Sequence, residues 1–179
     1  MAEAFSNKLA RAVGVVTTSS AGSIGVTTNL ITGISTTNVT VGDIVDNQQF
    51  IAGTKVSSIG VNSTTCDRNS TNEAAATSQS VKYLGLTSCY TSAASTKTIL
   101  IGGTFANNTN SEVNVTVSVY DNSATSEVAI ASKIPVPNGS SFVISDTGKT
   151  VLESLDAIRV YSNVDNGIDV TLSILTGVS

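Results

Sequence analysis

Residues 113–120 read Val-Asn-Val-Thr-Val-Ser-Val-Tyr, an unbroken alternation of apolar and polar side chains. A repeat of two puts Val113, Val115, Val117 and Val119 on one face of an extended chain. A helix, with its repeat of 3.6, scatters the same four valines around its axis. Such a segment needs a core on one side and water on the other. Ile168, Val170, Leu172 and Ile174, separated by Asp169, Thr171 and Ser173, repeat the design near the C-terminus.

The rest of the C-terminal half reads as strands and turns around these two. Thr98 to Ala106 contains a nearly continuous apolar run, which predicts a central strand covered on both sides. Its Gly102-Gly103 pair predicts a bulge or a close strand contact. Asn107 to Ser111 forms a polar hairpin loop, and Gly139, Thr147-Gly148, Ser154 to Asp156 and Asp165-Asn166-Gly167 are turn signals. Pro135 and Pro137 mark a strand end or an exposed edge, because proline has no amide hydrogen to give. Many short strands with no long helical pattern between them predict an all-β fold, an antiparallel β-sandwich.

The N-terminal half is less regular. Ala2 to Val13 is the one stretch with helical spacing, through Phe5, Leu9 and Ala12 or Val13. It reads as a short helix, an arm that docks on a neighbouring subunit, or a frayed terminus. Gly14 to Thr28 suits a strand or two. Leu30–Ile34, Val41–Val45, Thr54–Ile59 and Ser63–Cys66 read as short strands, with a polar loop at Asp46 to Gln49. Asn69 to Ser80 reads as a loop or a single helical turn.

Composition narrows the function classes. Hydrophobic residues are 40% of the chain but aromatics only 4%, so the core must be built from Val, Ile, Leu and Ala. Charged residues are 12%, about half the usual share, and Ser, Thr and Asn supply the polar surface. A net charge of -4 and singly scattered basic residues argue against a nucleic-acid partner. No apolar run approaches the ~20 residues of a membrane span, and the N-terminus lacks the layout of a secretory signal. Membrane association and leader removal are therefore not expected. The Asn-x-Ser/Thr triplets at Asn38, Asn62, Asn69, Asn107, Asn114 and Asn138 follow from composition and imply no glycans.

The chain contains no His, which removes Ser-His-Asp triads, Cys-His pairs and His-bearing metal sites. Asp43 with Asp46 lacks the alternating oxygen ligands of a calcium loop. Asp165, Asn166 and Asp169 read as turn chemistry around Gly167. Glu153 with Asp156 has no sugar-binding aromatic beside it in sequence. Cys66 and Cys89 read as ordinary reduced cysteines, with a disulfide between them as the alternative. Tyr83, Tyr90, Phe105, Tyr120, Phe142 and Tyr161 read as core or rim residues; several exposed together would mark an assembly surface. Neither a catalytic residue, a metal nor a cofactor is expected.

Two stretches carry a resemblance. The segment Cys89–Thr109, with the alternating valines, Ile134–Ser141, Val151–Glu153 and Val170–Leu175, resembles a small β-sandwich structural protein of tailed bacteriophages, particularly marine and cyanobacterial ones. In that family a segment like Asn7–Gly14 leads straight into the Tyr90 region, whereas about seventy residues intervene here. The second stretch, Thr32–Val45 with Ile51–Ile59, is similar to a small β-module of phage fibre and surface proteins. Together they imply a sandwich of residues 1–14 plus 84–179, with a second β-rich module, 15–83, inserted near the N-terminus.

The resemblance implies a virion component, assembled in the host cytoplasm. A capsid decoration or cement protein on the head shell is the expectation, with a neck or tail connector, collar or fibre-attachment protein as the alternative. From another class, a host-surface or carbohydrate-binding module remains open. The implied partners are the major capsid protein, or neck and tail proteins of the same virion, together with further copies in a homo-oligomer. Phe5, Leu9 and Val13 in the N-terminal arm, and Gln48, Gln49 and Phe50 in the polar loop, are the candidate interaction residues.

Overall fold

The computed structural model describes residues 3–178, with the side chains of Ser20 and of residues 146–148 outside the description. No helix forms among the described residues. The chain divides into two units, Met1–Gly14 with Thr87–Ser179, and Val15–Leu86. The fold is all-β and antiparallel, a sandwich with a second β-module inserted near the N-terminus.

The first unit carries β1 (Ala4–Val13), β8 (Thr87–Thr91), β9 (Lys97–Asn107), β10 (Val113–Asp121), β11 (Ser126–Val136), β12 (Ser141–Leu152), β13 (Ala157–Ser162) and β14 (Ile168–Val178). One sheet has the order β1-β14-β9-β12 and the other β11-β10-β13-β8. The alternation read from sequence fixes what faces inward. Val113, Val115 and Val117 on β10 are completely buried, and Ile168, Val170, Leu172 and Ile174 on β14 are buried with them in one core. Phe105 from β9 fills its middle, its ring 5.9 Å from that of Phe142. Pro135 lies on β11, an edge strand, where its missing amide leaves no gap in an inner ladder.

Four expectations are corrected. Ala2 to Val13 is no helix: from Ala4 it is strand β1, paired from Ala4↔Thr176 to Ala10↔Val170, and Ala2 lies outside the described residues. Spacings of four satisfy a repeat of two as well as one of 3.6, and here Phe5 and Leu9 face outward while Val13 turns into the core. Second, β9 is central in its sheet but covered on one face only, since Ile99 is half-buried and Ile101 exposed while Leu100 and Phe105 are buried. Third, the polar face of β10 is not simply solvated. Thr116 and Ser118 are buried, Thr116 Oγ1 accepting from the Lys133 amide and Ser118 Oγ donating to Glu127. Arg159 stacks 3.7 Å over the Tyr120 ring and approaches Glu127 at 3.8 Å, so long neighbouring side chains roof this part of the strand. Fourth, residues from Ala76 to Ser80 are strand, not loop.

The Gly102-Gly103 pair does sit at a bulge. The β9–β14 register slips between Ser173 and Ile174, opposite Gly102 and Leu100. A Cβ on Gly103 would come within 2.8 Å of Leu172 Cδ2, so the strands approach as closely as they do because the side chain is absent.

The second unit is a six-stranded sheet of β2 (Val15–Ile24), β3 (Leu30–Thr32), β4 (Ile44–Asp46), β5 (Val56–Gly60), β6 (Ser63–Cys66) and β7 (Ala76–Gly85), ordered β4-β7-β2-β3-β6-β5. Ile24, Ile31, Phe50, Val81 and Tyr83 anchor a separate core. Its one buried phenol is satisfied, Tyr83 Oη lying 2.9 Å from Thr64 Oγ1.

Candidate functional site: an apolar outer sheet face

Registers across β1-β14-β9-β12 determine which side chains share the outer face of that sheet. Phe5 lies opposite Leu175, Leu175 opposite Ile99, and Ile99 opposite Val151, so one apolar row crosses all four strands. Four residues along β1, Leu9, Thr171, Thr104 and Val143 form a second row. Between them lie Asn7 and Ser173, with Ile101 at the bulge. Phe5 and Leu9 are 77% and 76% exposed, and Val143, Val151 and Ile101 are 56%, 50% and 36% exposed. An open groove of about 540 Å³ runs along Phe5, Asn7, Ile101 and Ser173.

Scattered exposed apolar residues are normal on any protein. Here they are aligned by backbone register on a rigid sheet, which makes a contiguous surface. At its margin Lys97, beside β12, pairs with Glu153 at 3.2 Å, both side chains solvent-exposed. A face of this kind can bury against a matching surface.

The six candidate interaction residues separate. Phe5 and Leu9 stand on this face, but Val13 is 2% exposed and belongs to the sandwich core. It is buried because the bulge between Ala10 and Val13 returns the strand inward, with the Ala12 amide donating to Asp169 Oδ1. Phe50 is likewise a core residue, of the second unit. The Asn47 carbonyl accepts the Phe50 amide and Asn47 Oδ1 the Gln49 amide, a turn that folds Phe50 inward. Gln48 is exposed and Gln49 half-buried, its carbonyl held by Thr71.

Three of the aspartates brace turns and a bulge. Asp43 accepts from the Thr40 amide and hydroxyl at 2.8 and 2.7 Å, Asp156 from the amides of Asn122 and Glu153, and Asp169 from Ala12 and Asn108. Among the described residues no group of three His, Cys, Asp or Glu side chains could hold a metal ion. Cys66 and Cys89 are free thiols. Burial pushes both up to about 12, with the Asp67 charge adding to the effect at Cys66.

Sequence reasoning missed Ile99, Ile101, Val143, Val151 and Leu175 as parts of one surface. Each is an ordinary strand residue alone; the signal lies in the pairing register, which no single segment carries. Compared with protein-family models, curated proteins and solved structures, the chain gives no match to any of them.

Proposed function

We propose that the chain is a structural component of a phage particle, a head decoration or cement protein that packs its sandwich on the shell. The observation that carries the surface-packing part of this reading is the apolar outer face centred on Phe5, Leu9, Ile101, Val143 and Val151. The bacteriophage part rests on the resemblance of the Cys89–Thr109 and Thr32–Val45 stretches described above. A chain in which Asp43, Asp121 and Asp156 each hold a turn suits a part that holds others in place.

Quantitative mass spectrometry of purified particles, scaled to the major capsid protein, tests the proposal. Hundreds of copies per particle support decoration. A ring of about a dozen or fewer shifts the reading to a neck, collar or fibre-attachment position. Absence from particles, with binding of the isolated chain to host-envelope glycans, replaces it with a host-surface module.

A further inference from the structure

Strand β1 is the outermost strand of its sheet, hydrogen-bonded to β14 alone. An edge strand offers a row of amide and carbonyl groups to any second strand, and soluble proteins usually blunt such edges with charged side chains, bulges, proline or a short length; β1 carries Lys8 and Arg11 and bulges only after Ala10. Here ten residues form the strand, seven of them in unbroken register from Ala4 to Ala10, with Phe5 and Leu9 strongly exposed.

The residues along this edge are self-complementary. Positions 3–11 read Glu-Ala-Phe-Ser-Asn-Lys-Leu-Ala-Arg. We propose that β1 pairs antiparallel with β1 of a second copy about a two-fold axis at Asn7. In that register Ala4 lies opposite Ala10 of the other copy, Phe5 opposite Leu9, Ser6 opposite Lys8, and Asn7 opposite itself, and one residue beyond this regular stretch at each end Glu3, just before β1, comes opposite Arg11, at the start of the bulge. Opposite charges meet at both ends, and aromatic meets aliphatic on the same outer face. The two lysines are diagonal neighbours rather than directly opposed. Moving the axis to Lys8 sets those lysines against each other and Phe5 against Arg11. Moving it to Ser6 sets Leu9 against Glu3. Only the Asn7 register satisfies both the charges and the apolar pair, and an isologous contact of this kind closes as a dimer.

The product is a continuous eight-stranded sheet, β12-β9-β14-β1 followed by the same strands of the second copy in reverse. Phe5 and Leu9 are then flanked on both sides, and the outer face doubles in width. This inference goes beyond the virion reading and stands independently of it, because it rests on β1 and its sequence alone.

Sedimentation of the full chain over a concentration series is the test. The expected result is a reversible rise from the 18.2 kDa of one chain towards twice that mass. Glu3→Arg and Arg11→Glu, each folded by far-ultraviolet circular dichroism, should each weaken the dimer about tenfold, since symmetry turns two attractive pairs repulsive. Combining them should restore affinity to within about threefold of the original. Under mild oxidation Asn7→Cys should crosslink, because facing Cα atoms in such a ladder lie about 4.5–5.5 Å apart, inside disulfide range. Leu9→Cys should not, its own counterpart being about 13 Å away along the strand. A monomer at every concentration, a dimer indifferent to the charge reversals, or equal crosslinking at positions 7 and 9 would each overturn the proposal. None of those results bears on whether the outer face packs on a shell.

Discussion

Replacing Val115 by Ala tests the physical basis of the sandwich. Val115 is completely buried, between Ile134 on β11 and Ser162 on β13, and its side chain points into the core shared with β14. The substitution removes two carbons. At about 0.8 kcal/mol each the transfer loss is about 1.6 kcal/mol, and an incompletely relaxed cavity brings the total to about 2–3 kcal/mol. The matched control is Val143→Ala, the same chemical change at a side chain 56% exposed on the outer face. It opens no enclosed cavity and should cost less than about 1 kcal/mol. Urea titration followed through the amide resonances of Val170 and Leu172 reads unfolding of this unit apart from the other. With a slope near 2 kcal/mol/M, Val115→Ala should lower the midpoint by about 1 M or more and Val143→Ala by less than half that. Equal shifts for the two variants would refute the claim that the alternation sorts core from surface.

Other perturbations probe separate parts of the account. Gly14→Ala should destabilise the chain by more than about 2 kcal/mol, because the new Cβ would stand 2.4 Å from both Ser162 Oγ and the Val164 carbonyl at a φ of +125°; thermal unfolding reads the loss. Phe105→Ala should cost about 3–5 kcal/mol, removing a fully buried ring and its contact with Phe142, again by urea titration. Cys66 and Cys89 should label slowly with a thiol reagent at pH 8 in the native chain and quickly in urea. Because their folded values lie near 12, above the ordinary thiol value of 9.0, their contribution to stability is present below pH 9 and is lost as pH rises towards 12. Asp121 accepts from the Ala124 amide first and the Ser123 hydroxyl second, which hold its carboxyl below the usual aspartate range; its carbon-13 titration should show that direction.

The β-class was legible in the sequence because each inward strand of the sandwich announces itself locally. Val113 to Val117 and Ile168 to Ile174 alternate without a break, and each turned out to face the core. The edge position of Pro135 and the bulge at Gly102 followed from backbone chemistry that a single residue determines. Strand β1 is ambiguous for a physical reason: Phe5, Leu9 and Val13 sit four apart, which fits both periods, and before the bulge that turns Val13 inward the large apolar side chains face out while only Ser6 and the small Ala10 are half-buried. A rule that expects oil inside could not have found it. The same limit applies to Ala76 to Ser80, polar on both faces yet paired with β2. Two residues of the candidate surface, Phe5 and Leu9, were visible as apolar residues in an N-terminal arm. Ile99, Val143, Val151 and Leu175 join them only once three strand registers are known, and those registers are long-range facts.

The central claim is that the protein acts by burying the outer face of the β1-β14-β9-β12 sheet against a neighbour. Competition between the unaltered chain and a Val143→Ser/Val151→Ser variant for incorporation into particles tests it most directly, since both positions lie on β12, far from the β1 edge in the strand order and outside the core. The account predicts that the variant folds with an unchanged circular dichroism spectrum and is displaced from particles at equal input. Incorporation of the two chains in equal numbers would contradict it.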